Sequence, residues 1–246
     1  MKMTSQPTGH PTRRDGIPLS RNGHVDPLSQ TGDVKQRIGP CLLISRETGA
    51  GGSQIARHVA HRLGWKVMDK DIVDILASEY DTPSVVLDTV DEKNVGWITD
   101  LLNGWVEGHG FSQMTYVHRL HRLFAKAAQQ GNIVIVGRGA RFMLPQRETM
   151  SVRIIAPLEL RVEQVILRQG ISAIKSREFI ENSDRQRNAF IKKYFHQNIA
   201  DPHVHDLVVN VEQLVQEDAV ALIFDAVQSW LKRRGQDVAP MRASVY

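Results

Sequence analysis

Leu42-Leu43-Ile44-Ser45-Arg46-Glu47-Thr48-Gly49-Ala50-Gly51-Gly52-Ser53-Gln54-Ile55-Ala56 reads as an apolar strand, a glycine-rich turn and the opening of an amphipathic helix. Glycines let the backbone curl until successive N–H groups face one concavity, and a helix starting there aims the positive end of its dipole at the same point. The stretch therefore predicts an anion-binding turn. Against the phosphate-loop pattern G-x-x-x-x-G-K-[ST], Arg46 stands at the first glycine, Gly51 at the second, Gly52 at the lysine and Ser53 at the hydroxyl that ligates Mg2+. Gly49, Ala50, Gly51, Gly52, Ser53 and Gln54 are the expected phosphate cradle, with Ser53 at the metal. The lysine is absent.

Working outward, Ile55, Val59 and Leu63 recur at helical spacing with Arg57, His58, His61 and Arg62 on the other face, and Gly64 ends the element. Short apolar, β-branched runs at 41–45, 65–68, 133–136, 152–155 and 207–210 alternate with helical patterns, among them Val117, Leu120, Phe124 and Ala127. This alternation predicts an α/β protein with a parallel five-stranded sheet and helices on both faces, a three-layer phosphate-loop (P-loop) NTPase fold. About sixty residues from Asp71 to Gln130 carry no strand, which is long for a crossover, and are expected to form a helical insert over the carboxyl edge of the sheet. Residues 1–37, with four prolines and almost no apolar periodicity, read as a disordered tail. A folded domain over 38–234 and a flexible C-terminal tail over 235–246 complete the expected organisation.

With 246 residues, 41% of them hydrophobic, the chain is long enough for one good core. The net charge of +4 is modest and the acidic residues are interspersed, so a nucleic-acid partner is not expected and the arginines point instead to small polyanions. No run reaches the roughly 18 apolar residues of a membrane span, and no apolar segment follows the basic residues near the N-terminus, so no membrane partner and a cytoplasmic location are expected. The lone cysteine, Cys41, opens an apolar strand and reads as a small buried hydrophobe.

Arg138 follows the strand Ile133–Val136 between Gly137 and Gly139, a place suited to bidentate phosphate capture at the carboxyl edge. Asp69 and Asp71 follow the second strand. One of them caps a helix, and Asp69 also lies where a carboxylate could orient Mg2+ or an acceptor. Arg161 opens the helix after 152–155, and Arg168, Arg177, Arg185 and Arg187 follow on a polar stretch that would form a lid, with Arg161 and Arg187 best placed against a transferring phosphoryl group. His58/His61 and His118/His121 have metal-ligand spacing but lack a third ligand, and Trp97, Leu101 and Trp105 read as a packing stripe. Asp69 also stands twenty positions after Gly49, the spacing of a dinucleotide fold's ribose acid, although Gln54 occupies the third glycine position of that fingerprint.

Ile44-Ser-Arg-Glu-x-Gly-x-Gly-Gly52, Met68-Asp69-Lys70, Ile133-Val-Ile-Val-Gly-Arg-Gly-Ala140 and Asp184-x-x-Arg187 together resemble the cytidylate kinase-like family, from about Pro40 to Trp230. The resemblance implies relatives of bacterial cytidylate kinases, which move the γ-phosphoryl of ATP onto CMP or dCMP. It implies ATP and Mg2+ as cofactors and a nucleoside monophosphate or similar small phosphate acceptor as partner. Residue by residue, it makes Gly49 to Gln54 the ATP loop, Arg138 a contact to the acceptor phosphate, Arg161 and Arg187 lid-side charges, and Asp69 the acceptor-site acid. The cytidylate kinase pattern has lysine where Gly52 stands and aspartate where Gly139 stands. A nucleotide-binding regulator without catalysis and a dinucleotide-dependent oxidoreductase remain as other classes, and Lys70, Arg138, Arg161 and Arg187 are the cations expected to replace the missing lysine.

Overall fold

The computed structural model describes residues 38–69 and 113–236. The expected N-terminal tail, the insert as far as residue 112 with its Trp97 stripe, Lys70 and residues 237–246 lie outside the described residues. Five strands, β1 (Cys41–Arg46), β2 (Lys66–Met68), β3 (Ile133–Val136), β4 (Thr149–Ile155) and β5 (Leu207–Asn210), form one sheet in the order β2-β3-β1-β4-β5, and every pairing is parallel. The five runs read from the sequence are these five strands. Register places Ile44 beside Val136 on one side and beside Val152 on the other, so β1 is central and buried on both faces.

Six helices are described: α1 (Gly52–Leu63), α2 (Gln113–Gln130), α3 (Ala140–Met143), α4 (Leu158–Gln169), α5 (Ala173–Phe195) and α6 (Gln216–Arg233). Because side chains alternate along a strand, Leu42, Ile44, Val134, Val152 and Val209 face α1 and α6, which contribute Ile55, Val59, Leu63, Ile223 and Val227. Cys41, Leu43, Ile133 and Ile135 face the other way, onto Val117, Leu120, Phe124 and Ala127 of α2 and the small α3. Each of these fully buried aliphatic side chains contributes roughly 1.5–3 kcal/mol relative to exposure. A third cluster, Val162, Val165 and Ile180, joins α4 to α5. Gly64 ends α1 at φ 68°, its N–H returning to the carbonyls of Ala60 and His61.

Cys41 is fully buried on β1, and burial raises its thiol pKa to about 12, in keeping with a packing role. Among the described residues no helix is long and apolar enough to cross a membrane.

Candidate active site

The turn from β1 into α1 sits at the carboxyl edge of the central strand, the edge at which open parallel sheets bind ligands. Gly49 and Gly51 take φ values of 87° and 75°, which gives the turn its curl. Among the described residues, none accepts a hydrogen bond from the N–H groups of Gly49, Gly51, Gly52 or Ser53. They form a cradle of donors that a phosphate chain would satisfy.

The rim of the turn is held by charge. Glu47 donates its N–H to the carbonyl of Ile154 at 3.0 Å, its carboxylate accepts from the N–H of Ala156 at 3.2 Å, and Arg153 and Arg161 both lie 3.6 Å from it. The carboxylate of Asp184, on α5, accepts from the N–H and hydroxyl of Thr48, while Arg161 on α4 donates to it at 2.6 Å. Arg187, one turn further along α5, donates to the Thr48 hydroxyl at 2.8 Å and to the carbonyl of Arg46 at 3.3 Å. Gly49 is packed under α4: a Cβ there would lie 2.7 Å from the carbonyl oxygen of Arg161. Arg168, lower on α4, donates to Gln54 at 2.7 Å. The expected lid residues Arg161 and Arg187 are thus brought together on one carboxylate at the rim of the turn.

Beside the turn, a cavity of about 370 Å3 opens between the carboxyl ends of β1 and β3 and the helices α3 and α5. Ser45, Arg46, Arg138, Arg141, Arg187 and His205 supply much of its polar lining, with Ser183 and Gln186, and Phe142 and Phe190 part of its apolar lining. Arg138 sits at φ 50° between Gly137 at 83° and Gly139 at 75°, three left-handed residues in succession. A left-handed arginine costs on the order of 1 kcal/mol, and such strain concentrates at ligand sites. Gly139 cannot carry the aspartate of the cytidylate kinase pattern in this packing, because a Cβ would fall 2.8 Å from the ring of Phe195.

Among the described residues, no carboxylate lines the cavity. Burial pushes the pKa of Arg187 down, opposed by Asp184 and reinforced by Arg138 and Arg153, and burial likewise lowers Arg141 and Arg153. All three stay charged, since the ordinary guanidinium value lies so high. Among the described residues, the buried hydroxyl of Ser45, Nη1 of Arg141 and Nδ1 of His205 meet no hydrogen-bond partner. The other His205 nitrogen, Nε2, lies 3.0 Å from the carbonyl of Ile199 and must donate to it, which leaves Nδ1 as an acceptor when the ring is neutral. The lining therefore offers donors for an anion, and the His205 Nδ1 with the Ser45, Ser183 and Gln186 oxygens as acceptors for a hydroxyl or amine.

Asp69 falls elsewhere. Its carboxylate pairs with Arg57 of α1 at 3.0 Å, it does not line the cavity, and β3 separates its strand from β1. That strand order also overturns the dinucleotide-fold reading, in which the second strand flanks the first and brings its acid to the ribose. His58 is engaged by Gln216 at 2.8 Å. Sequence reasoning missed Glu47, Thr48, Arg141, Arg153 and His205, and ranked Arg168 behind its neighbours. Arg153 carried a signal, a charge between the apolar Val152 and Ile154 of a buried parallel strand.

The model of the cytidylate kinase-like family matches residues 42–213. A cytidylate kinase of Methanopyrus kandleri is 25% identical over 117 residues, covering 44% of this chain and 61% of the relative. One of Ignicoccus hospitalis is 25% identical over 183 residues, covering 74% of this chain and 95% of the relative. The chain thus spans about three-fifths of the length of the first of these relatives. Among solved structures, an uncharacterized protein from Eubacterium ventriosum superposes with a TM-score of 0.60 at 21% identity, over 77% of this chain and 98% of that one.

Proposed function

The chain belongs to the cytidylate kinase-like family, and on that premise we propose that it transfers the γ-phosphoryl group of ATP to a nucleoside monophosphate or similar small phosphate acceptor. The observation that carries this reading is the juxtaposition of a donor cradle with a cationic cavity at the carboxyl edge of β1. The N–H groups of Gly49, Gly51, Gly52 and Ser53, engaged by no other described residue, suit the phosphates of ATP. The cavity, within the size range of small-ligand sites, suits an acceptor with an anionic end and a hydroxyl or amine elsewhere.

The Ser53 hydroxyl, in the first turn of α1, is bound to no other described residue and would hold Mg2+. Bound there, the ion supplies neutralisation of the charge on the β- and γ-phosphate oxygens. Arg138 and Arg187 hold the acceptor phosphate against the loop. Asp184 orients Arg161 and Arg187, and α4 and α5 shield the turn from water. A phosphate acceptor is already an oxyanion at neutral pH, so its attack needs no general base; positioning and charge stabilisation carry the rate.

Gly52, which supplies no cation where the phosphate-loop pattern has lysine, favours one second reading, a nucleotide-binding regulator without turnover. Measurement of ADP formation with Mg2+–ATP against a panel of nucleoside monophosphates, alongside calorimetric ATP binding, separates the two. Acceptor-dependent ADP release supports the kinase. ATP binding with no ADP release from any acceptor would sink it in favour of the regulator.

A further inference from the structure

Gly52 has no backbone reason to be glycine. It is the first residue of α1, and its φ is not in the left-handed region, so any L-residue could adopt its conformation. What forbids a side chain there is Arg46: a Cβ on Gly52 would fall 2.5 Å from the Cβ of Arg46 and 2.9 Å from its Cγ. Further along the same side chain, a Cβ on Gly137 would collide with the Arg46 guanidinium. Two glycines, one in the turn and one at the end of β3, thus clear a path for Arg46 from the phosphate cradle to the wall of the cavity that it lines.

Resting on the phosphoryl-transfer reading, we propose that Arg46 is the cation that stands in for the missing loop lysine, and that an arginine at 46 and a lysine at 52 are alternatives that exclude one another. Sequence reasoning looked to Lys70, Arg138, Arg161 and Arg187 for this charge. Arg161 and Arg187 are both drawn onto Asp184, at 2.6 and 3.3 Å. Arg46 leaves the strand at the base of the cradle, in the place the phosphate-loop pattern gives to its first glycine, with its stem against Gly52 and its guanidinium against Gly137, the residue before Arg138. On the phosphoryl-transfer reading, the path from Gly52 to Gly137 runs from the donor phosphates to the acceptor phosphate. A planar guanidinium, with five donors in a fixed fork, can bridge oxygens of both. The glycine-for-lysine exchange at 52 and the arginine-for-glycine exchange at 46 then become one coupled change.

The test is a double-mutant cycle of R46G, G52K and R46G/G52K, the last restoring the complete G-x-x-x-x-G-K-S pattern, with R46M as a charge-only control of similar volume. Affinity for Mg2+–ATP by calorimetry and acceptor-dependent ADP formation are read for each, with thermal denaturation to check folding. We expect R46M and R46G to lose about tenfold or more in ATP affinity or turnover, the size of one charge-assisted phosphate contact. G52K should lose at least as much, and the double variant should recover to within a few-fold of wild type. R46M equal to wild type in both readouts overturns the proposal, as does a folded double variant no better than the worse single one. Wild type that binds no ATP overturns the phosphoryl-transfer reading and this proposal together, whereas the two preceding outcomes leave that reading standing.

Discussion

Asp184 and Thr48 lie 136 positions apart, yet one carboxylate oxygen of Asp184 accepts both the N–H of Thr48, at 3.0 Å, and its hydroxyl, at 2.7 Å. The glycine turn and the long helix α5 are therefore fastened to each other through a single acid that also gathers Arg161 and Arg187.

Removing that acid leaves two half-buried arginines facing each other across Thr48. Asp184→Ala is expected to destabilise the protein by roughly 2–3 kcal/mol, a figure for a partly buried charge left without its partner. For a domain of this size that corresponds to a fall in Tm of about 4–12 °C. A melting curve unchanged within 1 °C would show the tie to be energetically idle.

Gly49→Ala places a methyl group against the Arg161 carbonyl in a backbone conformation with φ 87°. The variant is expected to lose ATP affinity by about tenfold or more, because either α4 or the turn must move and the cradle opens. Calorimetry against Mg2+–ATP reads this directly, and unaltered affinity would mean that the turn is not the nucleotide cradle.

Arg138 and Arg187 both line the cavity, and Arg187 also holds the turn, through Thr48 and the carbonyl of Arg46. Arg138→Ala should raise the acceptor's KM by about tenfold with little change in Tm, whereas Arg187→Ala should lower kcat and Tm together. Steady-state kinetics with each variant, paired with denaturation, decides this. Identical profiles for the two would remove the division of roles.

Burial holds the His205 pKa below its ordinary value of 6.5, opposed by the hydrogen bond to Ile199 and reinforced by Arg153 and Arg141. The unfolded chain therefore binds the extra proton first, so stability contributed by neutral His205 is present above about pH 6.5 and is lost as pH falls through the depressed folded value. Tm should drop more steeply below pH 6.5 in wild type than in His205→Gln, whose amide can still donate to Ile199. Parallel pH profiles would show that the ring does not titrate with unfolding.

The sheet was legible because each buried parallel strand is a short apolar run that stands out between polar helices. The curl of the glycine turn was legible for a similar reason, since positive φ at Gly49 and Gly51 demands glycine and the turn's residues are consecutive. The rim was not. Glu47 meets the N–H of Ala156 across 109 positions, and Arg187 meets the carbonyl of Arg46 across 141. No local pattern marks an acid or a threonine for such a partner, because strand order decides which chain ends meet. Arg46 lies between these cases: its place at the first glycine of the pattern could be read from the sequence, but the two glycines that make room for it are explained only once β1 and β3 are side by side.

The single cysteine gives the chain a built-in reporter. Cys41 lies at the start of the central strand with no exposed surface and a thiol that ionises only near the upper end of the scale, so a thiolate-seeking reagent cannot react until the sheet itself opens. The rate at which such a reagent modifies Cys41 thus measures the opening of the core in wild type and in every variant named above, without any introduced label. A change at the rim that loosens only α5 would leave that clock untouched, and one that weakens the sheet would speed it.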